Sequence, residues 1–159
     1  DLLKRHPDIR FEIGVNVNHP VEFWPESIEA IERLQDIGVR FYNQHPLLKG
    51  VNDDFQTLVD LYGLLRRHGI EAHYLFHAIP LRGMSHHRTS LARGAQLAAQ
   101  LSSCGEFSGR AKPRYAVLSD IGKIVIFTFL SFYPLKNLQF LNISQHIFNK
   151  TIKTIFATS

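Results

Sequence analysis

Two glycines, Gly38 and Gly69, close two successive units of one design, and that repetition restricts this chain more than any other feature. Each unit runs strand, polar loop, helix, glycine over about 30 residues, which predicts βαβ connections and a parallel sheet. In the first unit, Phe11 to Val17 alternates as a strand does and ends at Asn18-His19-Pro20. Pro25-Glu26-Ser27 opens a helix whose buried stripe is Ile28, Ile31, Leu34 and Ile37, and Gly38 is its left-handed cap. In the second, Val39 to Tyr42 is the strand and Asn43 to Asn52 the loop. Asp53 with Gln56 resembles a capping box. Phe55, Leu58, Val59, Tyr62 and Leu65 give the helical period, Gly69 ends it, and Ile70 to His77 is the next strand. Sites in such sheets lie at the carboxyl ends of the strands. That places Asn16, Asn18 and His19, then Asn43 and Gln44, then His77 on one rim.

The next segments continue the pattern less cleanly. Leu81 to Thr89 is a donor-rich loop, roughly Ser90 to Leu101 is a helix, and Tyr115 to Leu118 is a short strand left through Ser119 to Lys123. His73 and His77 share one face by alternation, with Tyr74 and Phe76 on the other. A metal-dependent hydrolase built on His73 and His77 is one reading, without a third ligand at a telling spacing. Cys104 is the only cysteine, so this chain supplies no disulfide framework and no multi-cysteine metal site. A cytoplasmic location is the default.

Charge argues against a nucleic-acid partner. The net charge is +4, but residues 1–123 hold 15 basic and 14 acidic side chains, with no dense basic stripe. The excess comes from Lys136, Lys150 and Lys153 in a stretch without acids. All ten glycines, and every Arg, Asp and Glu, lie at or before Lys123, while residues 124–159 hold six of the twelve phenylalanines. That shift marks 124–159 as an atypical tail, read as frameshift or read-through, the alternative being a divergent extension. The apolar run Ile124 to Leu135 is broken by Pro134 and falls short of the roughly 20 residues of a membrane span.

Several stretches, in this order, carry a resemblance: Val17 to Pro20, Asn43 to Asp53, Tyr74 to His77, Gly83 to Thr89, Ser108-Gly109, and Tyr115 to Val117 running on to Gly122-Lys123. Together they make residues 3–123 similar to the C-terminal part of the lysine 2,3-aminomutase family of radical S-adenosylmethionine enzymes. The resemblance implies a partial (βα) barrel, incomplete at the N-terminus, with pyridoxal phosphate, S-adenosylmethionine and a [4Fe–4S] cluster. It implies an isomerase that moves an amino group between adjacent carbons of a small amino acid.

Residue by residue, Lys123 matches the lysine that holds pyridoxal phosphate covalently, after a shorter glycine run than the family has. A lysine just beyond a strand end can serve as a nucleophilic amine; the plain alternative is a solvated lysine. His73, Tyr74 and Phe76 match the pyridoxal phosphate side. Asn43 and Gln44, with Asn16 and Asn18 on the preceding strand, match the S-adenosylmethionine side, loop capping being the plainer role of each. Asn52 and Asp53 are assigned to helix capping. His86 and Arg88 offer donors for phosphate or carboxylate, or simply shape a loop.

Where lysine-specific members carry an aspartate after this strand, the chain has Ala78-Ile79-Pro80. Free lysine is therefore not the expected substrate, unless Asp120 substitutes. The three-cysteine cluster motif of the family is not in this sequence. The first residues read as the interior of a domain, so truncation at the start is expected and this chain alone should not generate the radical; a degenerate fragment without activity is the competing reading. A homo-oligomer is compatible with this reading.

Overall fold

The computed structural model describes residues 5–120 and 122–126. They form an α/β sheet of five strands with three helices. In chain order these are β1 (Glu12–Val15), α1 (Pro25–Asp36), β2 (Arg40–Leu47), α2 (Phe55–Arg67), β3 (Ile70–His77), α3 (Leu91–Ser103), β4 (Arg114–Ser119) and β5 (Gly122–Val125). Strand order in the sheet follows the sequence, and β1 to β4 are parallel. β5 is antiparallel to β4, so the parallel expectation fails at this edge. Ser119 pairs with Gly122 across a two-position turn, far too short for a parallel crossover. Of the tail expected from residue 124, only 124–126 are described, and Ile124 and Val125 complete β5. The rest of that tail lies outside the described residues.

Local chemistry sets most helix ends. Pro25 occupies the first turn of α1, Asp54 accepts from Thr57 N at 2.9 Å, and Ser90 Oγ accepts from Arg93 N at 3.1 Å. Gly38 and Gly69 take the positive φ that ends α1 and α2, at 94° and 66°. The capping box expected at Asp53 moves one residue on. Asp53 Oδ1 instead accepts from Gly50 N at 2.7 Å, and Gln56 reaches Asp60.

One sheet face carries all three helices. Leu58, Leu61, Tyr62 and Leu65 of α2 and Leu97, Ala98 and Leu101 of α3 share a core with Phe41, Leu47, Leu75 and Tyr115, and Ile31 and Leu34 of α1 pack against it. Ile37, expected in the α1 stripe, is 58% exposed because it follows the last turn, beside Gly38. The opposite sheet face has no helix among the described residues.

Two corrections concern the strands that build that open face. Asn43 to Leu47 are not loop: β2 continues through them, burying alternate residues. Pro46 is tolerated because Arg40 N–H points to Phe11 on the β1 side, and by alternation so does Pro46 N, where β1 has already ended at Val15. The second correction is a bulge in β3. Asn43 pairs with Ala72 but Gln44 pairs with Tyr74, leaving His73 extra. The bulge reverses the alternation, so Ile70, Ala72, Leu75 and His77 face the helices while His73, Tyr74 and Phe76 face away.

Candidate functional site

The open face is an aromatic shelf with a lysine on it. Tyr74 and Phe76 lie 5.2 Å apart, ring to ring, and Lys123 Nζ stands 4.0 Å from the Tyr74 centroid and 5.3 Å from that of Phe76. The antiparallel return of β5 puts it there: Lys123 pairs with Leu118, on the same face as Ala116, which pairs with Phe76. A cation over an aromatic face is held by the ring's quadrupole. His73 extends the shelf, 4.1 Å from Tyr74 and 5.2 Å from Tyr42. Partial burial lowers the His73 pKa, and Lys123 and Arg114 lower it further, so the ring stays neutral beside the amine.

Tyr42 was not anticipated as part of this face. Its ring lies over Gly14 of β1, where a Cβ would stand 2.9 Å from ring carbons. An isolated glycine inside an alternating strand was the signal, since it marks close approach of another group.

Gln44 is half-buried on the open face and its amide makes no hydrogen bond among the described residues. Asn43 is not beside it. Asn43 faces the helix layer, is 1% exposed, and is tied to β1's continuation: Oδ1 accepts from Val17 N at 2.8 Å and Nδ2 donates to Val17 O at 3.0 Å. Asn18 Nδ2 donates to Asn16 O at 3.1 Å, and Asn18 N donates to Glu22, so this pair shapes the turn after β1. The single rim expected for these residues is not formed. Val15 is level with Asn43, but His77 is level with Leu47, four positions further along.

A buried polar hub lies under that turn, and Asn52 is its centre. Asn52 is fully buried. Its Oδ1 accepts from Leu48 N at 2.7 Å, and Nδ2 donates to Asn18 O at 2.9 Å and Pro46 O at 3.1 Å. This corrects its assignment to helix capping. His45, also fully buried, stands 2.8 Å from Tyr62 Oη through Nε2. Its Nδ1 lies 3.3 Å from Pro46 O and 3.2 Å from Asn52 Nδ2, so the tautomer decides whether Nδ1 donates to the carbonyl or accepts from the amide. Burial lowers the His45 pKa to about 4 and raises that of Tyr62. The signal for this hub was weak: polar residues in a segment read as loop.

His77 belongs to the helix side as well. Its Nδ1 is 2.9 Å from Tyr115 Oη, and burial with the nearby Arg88 charge lowers its pKa. His73 and His77 therefore lie on opposite faces of the sheet, which removes the metal-hydrolase reading built on them. No group of three metal-ligating side chains occurs among the described residues. Arg88 and exposed His86 sit on a loop held to the end of β2, where Lys49 N donates to His87 O at 2.8 Å. Asp120 is exposed at the β4–β5 turn. Among the described residues no hydrogen bond, ion pair or ring contact joins His86 or Asp120 to the shelf, His86 lying against His87 instead.

No protein-family model matches the chain. Individual proteins do. An L-lysine 2,3-aminomutase of Methanococcus maripaludis is 37% identical over 116 residues, 73% of this chain and 26% of its own length. A glutamate 2,3-aminomutase of Clostridioides difficile is 35% identical over 121 residues, 76% of this chain and 28% of its own length. An L-lysine 2,3-aminomutase of Fusobacterium nucleatum is 33% identical over 116 residues, 73% of this chain and 26% of its own length. The chain thus spans under a third of the length of the curated relatives it matches.

Proposed function

We propose, from the premise that this chain belongs to the lysine 2,3-aminomutase family, that its open sheet face is the pyridoxal phosphate wall of an amino acid 2,3-aminomutase. The observation that carries the reading is Lys123 Nζ, 4.0 Å over the Tyr74 ring with Phe76 beside it. One primary amine above a pair of aromatic rings fits a planar pyridine aldehyde. When bound, that group supplies an electrophilic carbon and a ring that delocalises charge or spin. Tyr74 and Phe76 supply stacking surface, and neutral His73 borders the ring without adding a charge. The order of the parallel strands β1 to β4, with the described helices all on one face, suits a segment of (βα) barrel wall whose interior is the open face.

The other two cofactors fit less well. Gln44 is the group free to meet S-adenosylmethionine; the amides of Asn43 and Asn18 are engaged, and Asn16 is exposed at the turn. A [4Fe–4S] cluster does not fit these residues, because the sole cysteine, Cys104, follows α3 and ends that helix. Ala78 is buried and Ile79 and Pro80 are exposed, so no carboxylate follows β3 to hold a distant ammonium. The substrate is accordingly an amino acid other than free lysine, and the reaction a shift of its amino group to the adjacent carbon.

Borohydride reduction of the chain with pyridoxal phosphate, followed by peptide mass mapping, tests this. One adduct on Lys123, absent in Lys123→Ala, supports the reading. Adducts scattered over the other lysines return it to an inactive fragment.

A further inference from the structure

We infer that Arg114 is the anion-binding residue of the open face, holding a phosphate or carboxylate of a ligand whose planar ring lies on Tyr74 and Phe76. The inference rests on the reading of that face as a ring site, and it adds a residue that no motif pointed to. Tyr115 turns into the helix-side core, so Arg114 beside it in β4 turns to the open face. It pairs directly with Tyr74. Arg114 is exposed and forms no ion pair among the described residues.

Arg114 on β4 and Lys123 on β5 thus flank the shelf with two cations. Both act on His73, where Glu12 and Glu71 act in the opposite sense. The acids of this face, Glu12 and Glu71, sit at its other end: Glu12 pairs with Arg40 at the start of β2, and Glu71 pairs with Tyr42. Glu12 thus has Arg40 directly across from it, whereas Arg114 and Lys123, paired with Tyr74 and Leu118, have no acid directly across from them among the described residues. A planar, uncharged ligand does not account for an unpaired arginine next to an aromatic pair; a ring with an anionic arm does. Guanidinium suits the task because its fork can hold two oxygens of one phosphate or carboxylate.

Binding of ring ligands that lack the aldehyde tests Arg114 independently of Lys123 chemistry. The probes are 4′-deoxypyridoxine with and without its 5′-phosphate, and N-pyridoxyl-alanine with its carboxylate free or amidated. Each is titrated into the full 159-residue chain. The native chain prefers one anionic form over its neutral partner by about tenfold, a charge-assisted bidentate pair being the source. The phosphate pair and the carboxylate pair report separately on which anion is held. Arg114→Gln abolishes the preference and Arg114→Lys keeps part of it, while binding of the neutral rings is unchanged. An unaltered preference in Arg114→Gln, or no binding of any of the four probes, overturns the inference. If Arg114→Gln removes the preference while borohydride leaves Lys123 unlabelled, the anion site stands and the amine reading fails.

Discussion

The hydroxyl of Tyr115 occupies the space that a side chain on Gly94 would need. A Cβ built on Gly94 collides with Tyr115 Oη and Cζ, both of them inside the core. The close approach lets Tyr115 reach His77 under α3. Gly94→Ala accordingly costs about 2–3 kcal/mol by overpacking, even though alanine is the better helix former. Gly63 in α2 has nothing within 4 Å of such a Cβ. Gly63→Ala therefore stabilises by about 0.5–1 kcal/mol. Urea denaturation of the two variants reads the opposite signs.

Stability falls on mild acidification, and His45 is the main cause. Its pKa is about 4 in the fold against an ordinary 6.5, because burial disfavours the charged ring. The unfolded chain therefore takes up the proton first. The contribution of the neutral ring is complete above pH 6.5 and is lost as pH falls toward 4, amounting to about 3 kcal/mol. His73 and His77, also lowered by burial, add to the same trend. In His45→Gln most of the slope of unfolding free energy against pH disappears. A slope equal to that of the native chain would rule out His45 as the source.

Asn43 is tested by its isostere. In Asn43→Asp one carboxylate oxygen still accepts from Val17 N, but the other faces Val17 O, where an amide had donated at 3.0 Å. Loss of that donor in a buried position costs about 2–3 kcal/mol at pH 7. The deficit against the native chain shrinks below the carboxylate's raised pKa, when the protonated acid can donate again. Paired denaturation curves at neutral and acidic pH measure both halves.

Deletion of His73 leaves the fold intact. Without it, Ala72, Tyr74 and Leu75 follow in strict alternation, and Leu75 and His77 still face the helices. The variant lies within about 1 kcal/mol of the native chain, losing only a bulge and its ring contacts. Deletion of Phe76 instead turns His77 outward, breaks its bond to Tyr115, and prevents cooperative unfolding. Thermal melts followed by circular dichroism distinguish the two.

Much of this architecture was readable in the residues themselves. Gly38 and Gly69 mark the ends of α1 and α2, and Ile70 to His77 is β3 to the residue. Lys123, Tyr74 and Phe76, named separately in the motifs, meet on one face. What was hidden depends on partners distant in sequence. Asn43 and His45 look like loop residues until Val17, 26 positions away, and Tyr62, 17 positions away, satisfy them inside β2. The bulge at His73 is equally silent, since alternation read along β3 alone gives the wrong faces beyond it. The reversed strand β5 depends on a two-position turn set within a change of composition.

The β4–β5 hairpin also bears on the order of assembly. Leu118 and Lys123 are five residues apart yet directly paired, whereas Tyr74 and Arg114 are forty apart. Contacts so close in sequence form on the microsecond scale and need no prior closure of a long loop. Lys123 can therefore pair with β4 without waiting for β4 to find β3, and the docking of β4 on β3 is the step that carries Arg114 and, through the hairpin, the amine onto the aromatic rings.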